Sequence, residues 1–130
     1  GIAAAMRKRL AAGERSSALS LADGDPAAVT AAHIAQAARE GDTAAAAVLE
    51  EAVSYMAIGV TNLIHLLNPE MIVIGGGVAK LGDQLFVPLR AKVAARAYPA
   101  MAKALPIVPA ALGDRAGVLG AAMAARIGLG

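Results

Sequence analysis

Three consecutive glycines, Gly75, Gly76 and Gly77, follow directly on the apolar run Met71-Ile72-Val73-Ile74. Glycine has no Cβ and adopts positive φ freely, so such a run lets backbone lie against a ligand such as a nucleotide. Its place after a predicted strand is the carboxyl edge at which open α/β sheets bind ligands. No Lys-Ser/Thr pair follows, so the run is not a Walker phosphate loop. A tight strand-to-helix turn with no ligand uses the same residues, and the triplet alone does not separate the two readings.

The other residues with chemical potential have plainer roles. Asp114-Arg115 resembles a catalytic pair, but helix N-capping accounts fully for Asp114. His33 and His65 fall in different predicted helices without partner ligands, and neither is assigned to a metal. Met56 and Met71 are expected to fill core space, and Glu50-Glu51 to face solvent. Arg7-Lys8-Arg9 reads as a solvated helix face. The net charge is only +2, and no stacking aromatics accompany the basic run, so nucleic-acid binding is not indicated. Cysteine is absent, which excludes disulfides and thiolate metal sites within the chain. No catalytic residue and no metal ligand is assigned.

The elements that must position the glycine run are mostly helices. Hydrophobic residues make up 58% of the chain, yet its aromatics are Phe86, Tyr55 and Tyr98 alone, so the core is built from Leu, Ile, Val and Met with alanine-rich helices packed closely. Residues 2–12 predict a helix stopped by Gly13, and residues 14–25 a polar loop. Thr30 is read as the N-cap of a helix to about Glu40, Gly41 as its stop and Asp42 as the cap of the next. Leu49, Val53, Met56, Val60, Leu63 and Leu67 then alternate at spacings of four and three, one face of a long helix. Ile58 and Ile64 make it apolar on more than one side, so it is expected to be largely buried, and Asn68-Pro69 ends it. No run of about 18 strongly apolar residues is read as a membrane span.

Residues 71–74 predict a buried parallel strand, 84–98 a helix with Pro88 in its first turn, and 105–109 a second strand. Residues 115–127 predict a closing helix with Gly117, Gly120, Ala121 and Ala124 on one side. The series ends as a βαβα unit of an α/β fold. Two strands do not make a stable sheet, so further strands are expected upstream.

Three stretches carry a family resemblance. Asn68-Pro69-Glu70, the apolar strand and Gly75-Gly76-Gly77-Val78-Ala79 resemble a segment of the ROK family of bacterial sugar kinases and sugar-responsive repressors. Ala111-Leu112-Gly113-Asp114-Arg115-Ala116-Gly117-Val118-Leu119-Gly120-Ala121-Ala122 is similar to the family's closing helix. Ala37-Ala38-Arg39-Glu40-Gly41-Asp42 resembles the phrase before its long helix, and Gly1-Ile2 the tail of a Gly-Thr-Gly-Ile turn. The glycine triplet and the closing helix resemble the family's glucokinases most.

The resemblance implies an actin-like, ribonuclease-H-like ATPase fold of two α/β lobes around a nucleotide cleft. Residues 1–130 would be its C-terminal lobe, helix-rich with the βαβα end. It places Gly75, Gly76 and Gly77 beside the adenosine and α-phosphate of ATP. It implies a cytoplasmic, homo-oligomeric protein, a homodimer or larger, that uses ATP and Mg to phosphorylate a hexose, glucose in the first instance, with no membrane partner. The phosphate loop, the catalytic Asp, the sugar-binding residues and a Cys-rich structural zinc site of the family all lie upstream of the matching segment. This chain alone is therefore expected to be inactive. The alternative within the family is the effector or dimerisation domain of a transcriptional repressor, which would add nucleic acid as a partner.

Overall fold

A computed structural model of the chain describes residues 1–97 and 105–110. The predicted closing helix, with Asp114, Arg115 and the stripe from Gly117 to Ala124, lies outside the described residues, as does Tyr98. The chain divides into two compact units, Gly1–Val53 and Ser54–Gly130.

In the first unit, α1 (Ile2–Ala11), α2 (Ser17–Leu21) and α3 (Ala31–Arg39) precede the start of α4 (Thr43–Leu67). Gly13 ends α1 as predicted, at φ +95°. The amide of Glu14 donates to the carbonyl of Arg9 and that of Gly13 to Leu10, both at 3.1 Å, which is the Schellman closure. The predicted loop over 14–25 instead contains α2. Ser16 caps it by accepting from the Ala18 amide at 3.2 Å, and Ala18 is fully buried. A short polar stretch becomes helical here because a cap and one buried alanine anchor it, signals that composition does not show. Thr30 and His33 form a reciprocal capping box: the Thr30 hydroxyl accepts from the His33 amide at 3.3 Å, and His33 Nδ1 accepts from the Thr30 amide at 3.1 Å. Capping therefore occupies His33.

The core of this unit holds Met6, Ala18, Ile34, Ala37, Ala45 and Val48. Four-carbon and larger side chains are few among them, so alanines set the close spacing of the helices. The basic run on α1 is not uniformly solvated. Arg9 pairs with Glu14 at 3.1 Å and Glu51 at 3.7 Å, whereas Arg7 and Lys8 are exposed. Glu51 is thus a salt-bridge partner as well as a surface residue.

The long helix exists over 25 residues, but its buried face is displaced from the predicted one towards the C-terminus. Leu49, Val53 and Val60 are buried as expected, and so are Ala45, Ala57, Thr61 and Ile64. Met56 is only partly buried, and Leu63 is 43% exposed. Ile58, Tyr55 and Leu66 are also open to solvent, so the helix is not largely buried. The small residues at 57 and 61 pack inward where the periodicity reading counted only large ones. The most apolar window of α4 has a mean hydropathy of 1.3, enough by length and composition alone to cross a membrane, a test that core helices also pass. The fully buried Ala45, Ala57 and Ile64 mark it as a core helix with one side in protein. It ends at Asn68, which takes φ +44°, a left-handed conformation that Asn tolerates, and Pro69 prevents continuation.

In the second unit β1 (Ile72–Ile74) and β2 (Ile107–Pro109) pair in parallel, Ile72 opposite Ile107 and Val73 opposite Val108. Between them come a 3-10 turn, Gly77–Leu81, and α5 (Asp83–Arg96). Both strands are shorter than predicted. Leu105 and Pro106 precede β2, although the Pro106 carbonyl still accepts from the Ile72 amide at 2.9 Å. Pro88 lies in the second turn of α5, inside the helix, and not in its first turn as predicted. Buried Leu85, Phe86, Leu89 and Val93 hold that helix in place, so tertiary packing offsets the hydrogen bond that proline cannot donate.

Candidate functional site: the glycine turn after β1

The strand, the glycines and the following turn form one continuous path. β1 ends at Ile74, Gly75 and Gly76 leave it, and Gly77 opens the 3-10 turn. Gly76 has φ +80° and ψ −170°, a region essentially reserved for glycine. Its carbonyl accepts from the Ala79 amide at 3.2 Å. The turn itself therefore requires glycine at 76.

Gly77 is different. Its φ is not in the left-handed region, it is exposed, and a Cβ built on it meets nothing within 4 Å. Neither backbone conformation nor crowding within the described structure asks for glycine there. Space for a close approach by something outside the chain is what the position offers. Within the triplet, Gly76 shapes the turn and Gly77 is a residue that the turn does not explain.

The turn is followed by Gly82 at φ +59°, which caps α5, with Asp83 in its first turn. An acidic residue there favours the helix N-terminus and leaves it a poor anion site. Sequence reading missed Gly82, although Leu81-Gly82-Asp83 repeats the glycine-acid punctuation of Gly41-Asp42. α5 is tied to β2 by Arg90, whose Nε and Nη2 donate to the Ile107 carbonyl at 3.0 and 2.8 Å. The same guanidinium lies 5.4 Å from the centre of the Phe86 ring, within cation–π range. A cavity of about 210 Å³ lies beside it, lined by Arg90, Val93, Ala94, Leu105 and Ile107. None of the three glycines lines it.

Among the described residues no group of three or more His, Cys, Asp or Glu could hold a metal. His65 sits in the last turn of α4. A further polar centre among the described residues is Asp42, in the first unit. It accepts from the Ala45 amide at 2.8 Å, capping α4, and from the Ser17 amide at 2.8 Å and the Ser16 hydroxyl at 3.0 Å at the start of α2. Burial pushes its pKa up, but the amides of Ala45 and Ser17 and the serine hydroxyl together outweigh that and hold it below the ordinary 3.8. The amide of Asp42 donates to the Ala37 carbonyl at 3.0 Å and that of Gly41 to Ala38 at 3.1 Å, closing α3 as a Schellman turn with Gly41 at φ +94°. Ala37–Asp42 is therefore a structural junction: it stops one helix, starts another and anchors a third.

Known proteins resemble this chain over most of its length. The model of the ROK family matches residues 3–127. A glucokinase of Thermotoga maritima is 39% identical over 99 residues, 76% of this chain and 31% of the relative. A xylose repressor of Caldicellulosiruptor bescii is 37% identical over 92 residues, 71% of this chain and 23% of the relative. Among solved structures, a ROK family glucokinase from Streptomyces griseus in complex with glucose and AMPPNP superposes with a TM-score of 0.72 at 28% identity. That match covers 96% of this chain and 41% of the other. The chain thus spans about a third of the length of the curated glucokinase it matches. The α/β class and the actin-like ATPase fold expected from the resemblance hold, and the chain belongs to the ROK family.

Proposed function

We propose that this chain is the C-terminal lobe of an ATP-dependent hexose kinase, with glucose as the substrate, and that the turn at Gly75, Gly76 and Gly77 lies against the nucleotide. Gly77 carries the reading, because it is a glycine that its own turn does not require. The Streptomyces griseus relative, with glucose and AMPPNP bound, supports the choice of ligands. In such a reaction the hexose hydroxyl attacks the γ-phosphorus, the bond to the bridging oxygen of ADP breaks, and the hydroxyl proton passes to a base. Mg bound with the nucleotide would neutralise developing charge. This chain's share is to let the nucleotide approach closely. The base and the phosphate clamps would be upstream, with a structural zinc. The same reading has a cytoplasmic protein that works as a homodimer or larger assembly.

The xylose repressor at 37% identity favours a second reading, in which this lobe belongs to a sugar-sensing repressor. A coupled assay for glucose 6-phosphate on the longer polypeptide separates the two. A kinase gives product that depends on both glucose and Mg-ATP. Sugar binding without turnover selects the repressor. The 130-residue chain alone is expected to give only background in the same assay, and protein-dependent product from it would refute the assignment of the chemistry upstream.

A further inference from the structure

The hydrogen bonds between the two strands tell the edges of β2 apart. The Pro106 carbonyl accepts from the Ile72 amide at 2.9 Å, and the Ala110 amide donates to the Ile74 carbonyl at 3.0 Å. In a parallel pair of this register, the backbone groups of Val108 face β1, and those of Ile107 and Pro109 point away from it. The outer edge of β2 thus presents the carbonyls of Ile107 and Pro109 and the N–H of Ile107, since Pro109 has none to offer.

Arg90 takes the carbonyl beside that N–H. Its Nε and Nη2 both donate to the Ile107 oxygen, at 3.0 and 2.8 Å, and so meet both of its lone pairs. Arg90 is itself exposed, so water could solvate its charge without this contact. Phe86, whose ring lies 5.4 Å from the guanidinium carbon, is buried and holds the group beside the strand. The effect of the contact is therefore to be sought at the strand edge.

An open edge of paired N–H and C=O groups is a template for a strand of another chain, and proline and charged side chains are the groups that blunt it. The outer edge of β2 has both, whereas β1 contains no proline. We infer that Arg90 is a guard, which closes the outer edge of β2 against the same edge of a second copy. Two such edges could pair antiparallel about a two-fold axis, with Ile107 opposite Ile107 of the second copy and the two residues exchanging N–H and C=O bonds. That exchange needs the Ile107 oxygen, and the guanidinium occupies it. The inference holds whether the whole protein is a kinase or a repressor.

The test uses the longer polypeptide. Arg90→Met keeps an apolar stem beside Phe86 and removes the donors, and Arg90→Ala removes both. Sedimentation velocity well below the melting temperature is compared with wild type over a range of protein concentrations. Association beyond the wild-type state is expected to begin at about tenfold lower concentration in whichever of the two variants folds. Pro109→Val restores an outward N–H. Alone it is expected to sediment as wild type, because Arg90 still holds the Ile107 oxygen, and combined with Arg90→Met it should strengthen association further. Val93→Ala, a buried position on the same helix, lowers stability without freeing the edge and is expected to sediment as wild type. Wild-type sedimentation of the Arg90→Met, Pro109→Val double variant overturns the inference. Association of Pro109→Val alone overturns it in favour of the proline as guard, and equal association of Val93→Ala overturns it in favour of aggregation through unfolding.

Discussion

Ile64→Asp is expected to abolish folding of the polypeptide that carries this chain. Ile64 is fully buried, and it lies on the side of α4 that holds Val60 and Ala57. Val60, Thr61, Leu67 and Asn68, one turn away along the helix, offer an aspartate there no cation. Burying an unpaired carboxylate costs several kcal/mol even after its pKa shifts to keep it neutral. The lost isoleucine packing adds about 2–5 kcal/mol, judged by truncations to alanine. Their sum is of the order of a whole domain's stability, about 5–15 kcal/mol. Soluble expression followed by thermal unfolding checks this. Leu63→Asp, one step away, probes the open side. A soluble Ile64→Asp protein with an unchanged melting temperature would show that the buried face of α4 is misplaced.

Asp42→Ala is expected to destabilise by about 2–4 kcal/mol, more than an ordinary cap. A single N-cap is worth about 1 kcal/mol, but this carboxylate also holds Ser16 and Ser17, and hydrogen bonds to a charged group contribute roughly 1.5–3 kcal/mol each. Asp42→Asn retains an acceptor and loses the charge, so its loss should be smaller. The pH dependence has a definite sign. The folded-state pKa lies below 3.8, so the folded state favours the carboxylate. The contribution is complete above the unfolded-state value and is lost as pH falls through the folded one. Urea unfolding should therefore show a gap between wild type and Asp42→Ala that is constant near neutrality and narrows below about pH 4. A gap unchanged at pH 2.5 would remove the ionised carboxylate from the account.

The particular residues show why part of this was legible beforehand. Gly13, Thr30, Gly41 and Asp42 act through local rules of helix ends, which depend on a few neighbouring residues, and each serves as read. The strand before the glycines was legible because β-branched residues between Pro69 and a glycine run have few alternatives. The depth of α4 was not. Periodicity finds that a face exists, but Ala57 and Thr61 turn inward and Leu63 outward because of what packs against them, which no window of one helix contains. The role of Ser16 in joining Asp42 was hidden for the same reason, since 26 residues separate them. At the candidate site the triplet looked uniform in sequence. Only φ distinguishes Gly76, which its turn requires, from Gly77, which it does not, since a Cβ at either would meet nothing within 4 Å.

That distinction selects the decisive experiment. A substitution at Gly76 is strained at φ +80° whatever binds nearby, so it would confuse a damaged turn with a lost contact. Gly77→Val keeps the backbone in an allowed region and places its side chain where the chain itself is open. In the longer polypeptide, AMPPNP and glucose are titrated separately by calorimetry into wild type and Gly77→Val, after melting shows both folded. AMPPNP affinity is expected to fall at least tenfold, about 1.4 kcal/mol, while glucose affinity and the melting temperature stay as in wild type. Unchanged AMPPNP affinity in a folded Gly77→Val protein would contradict the nucleotide contact.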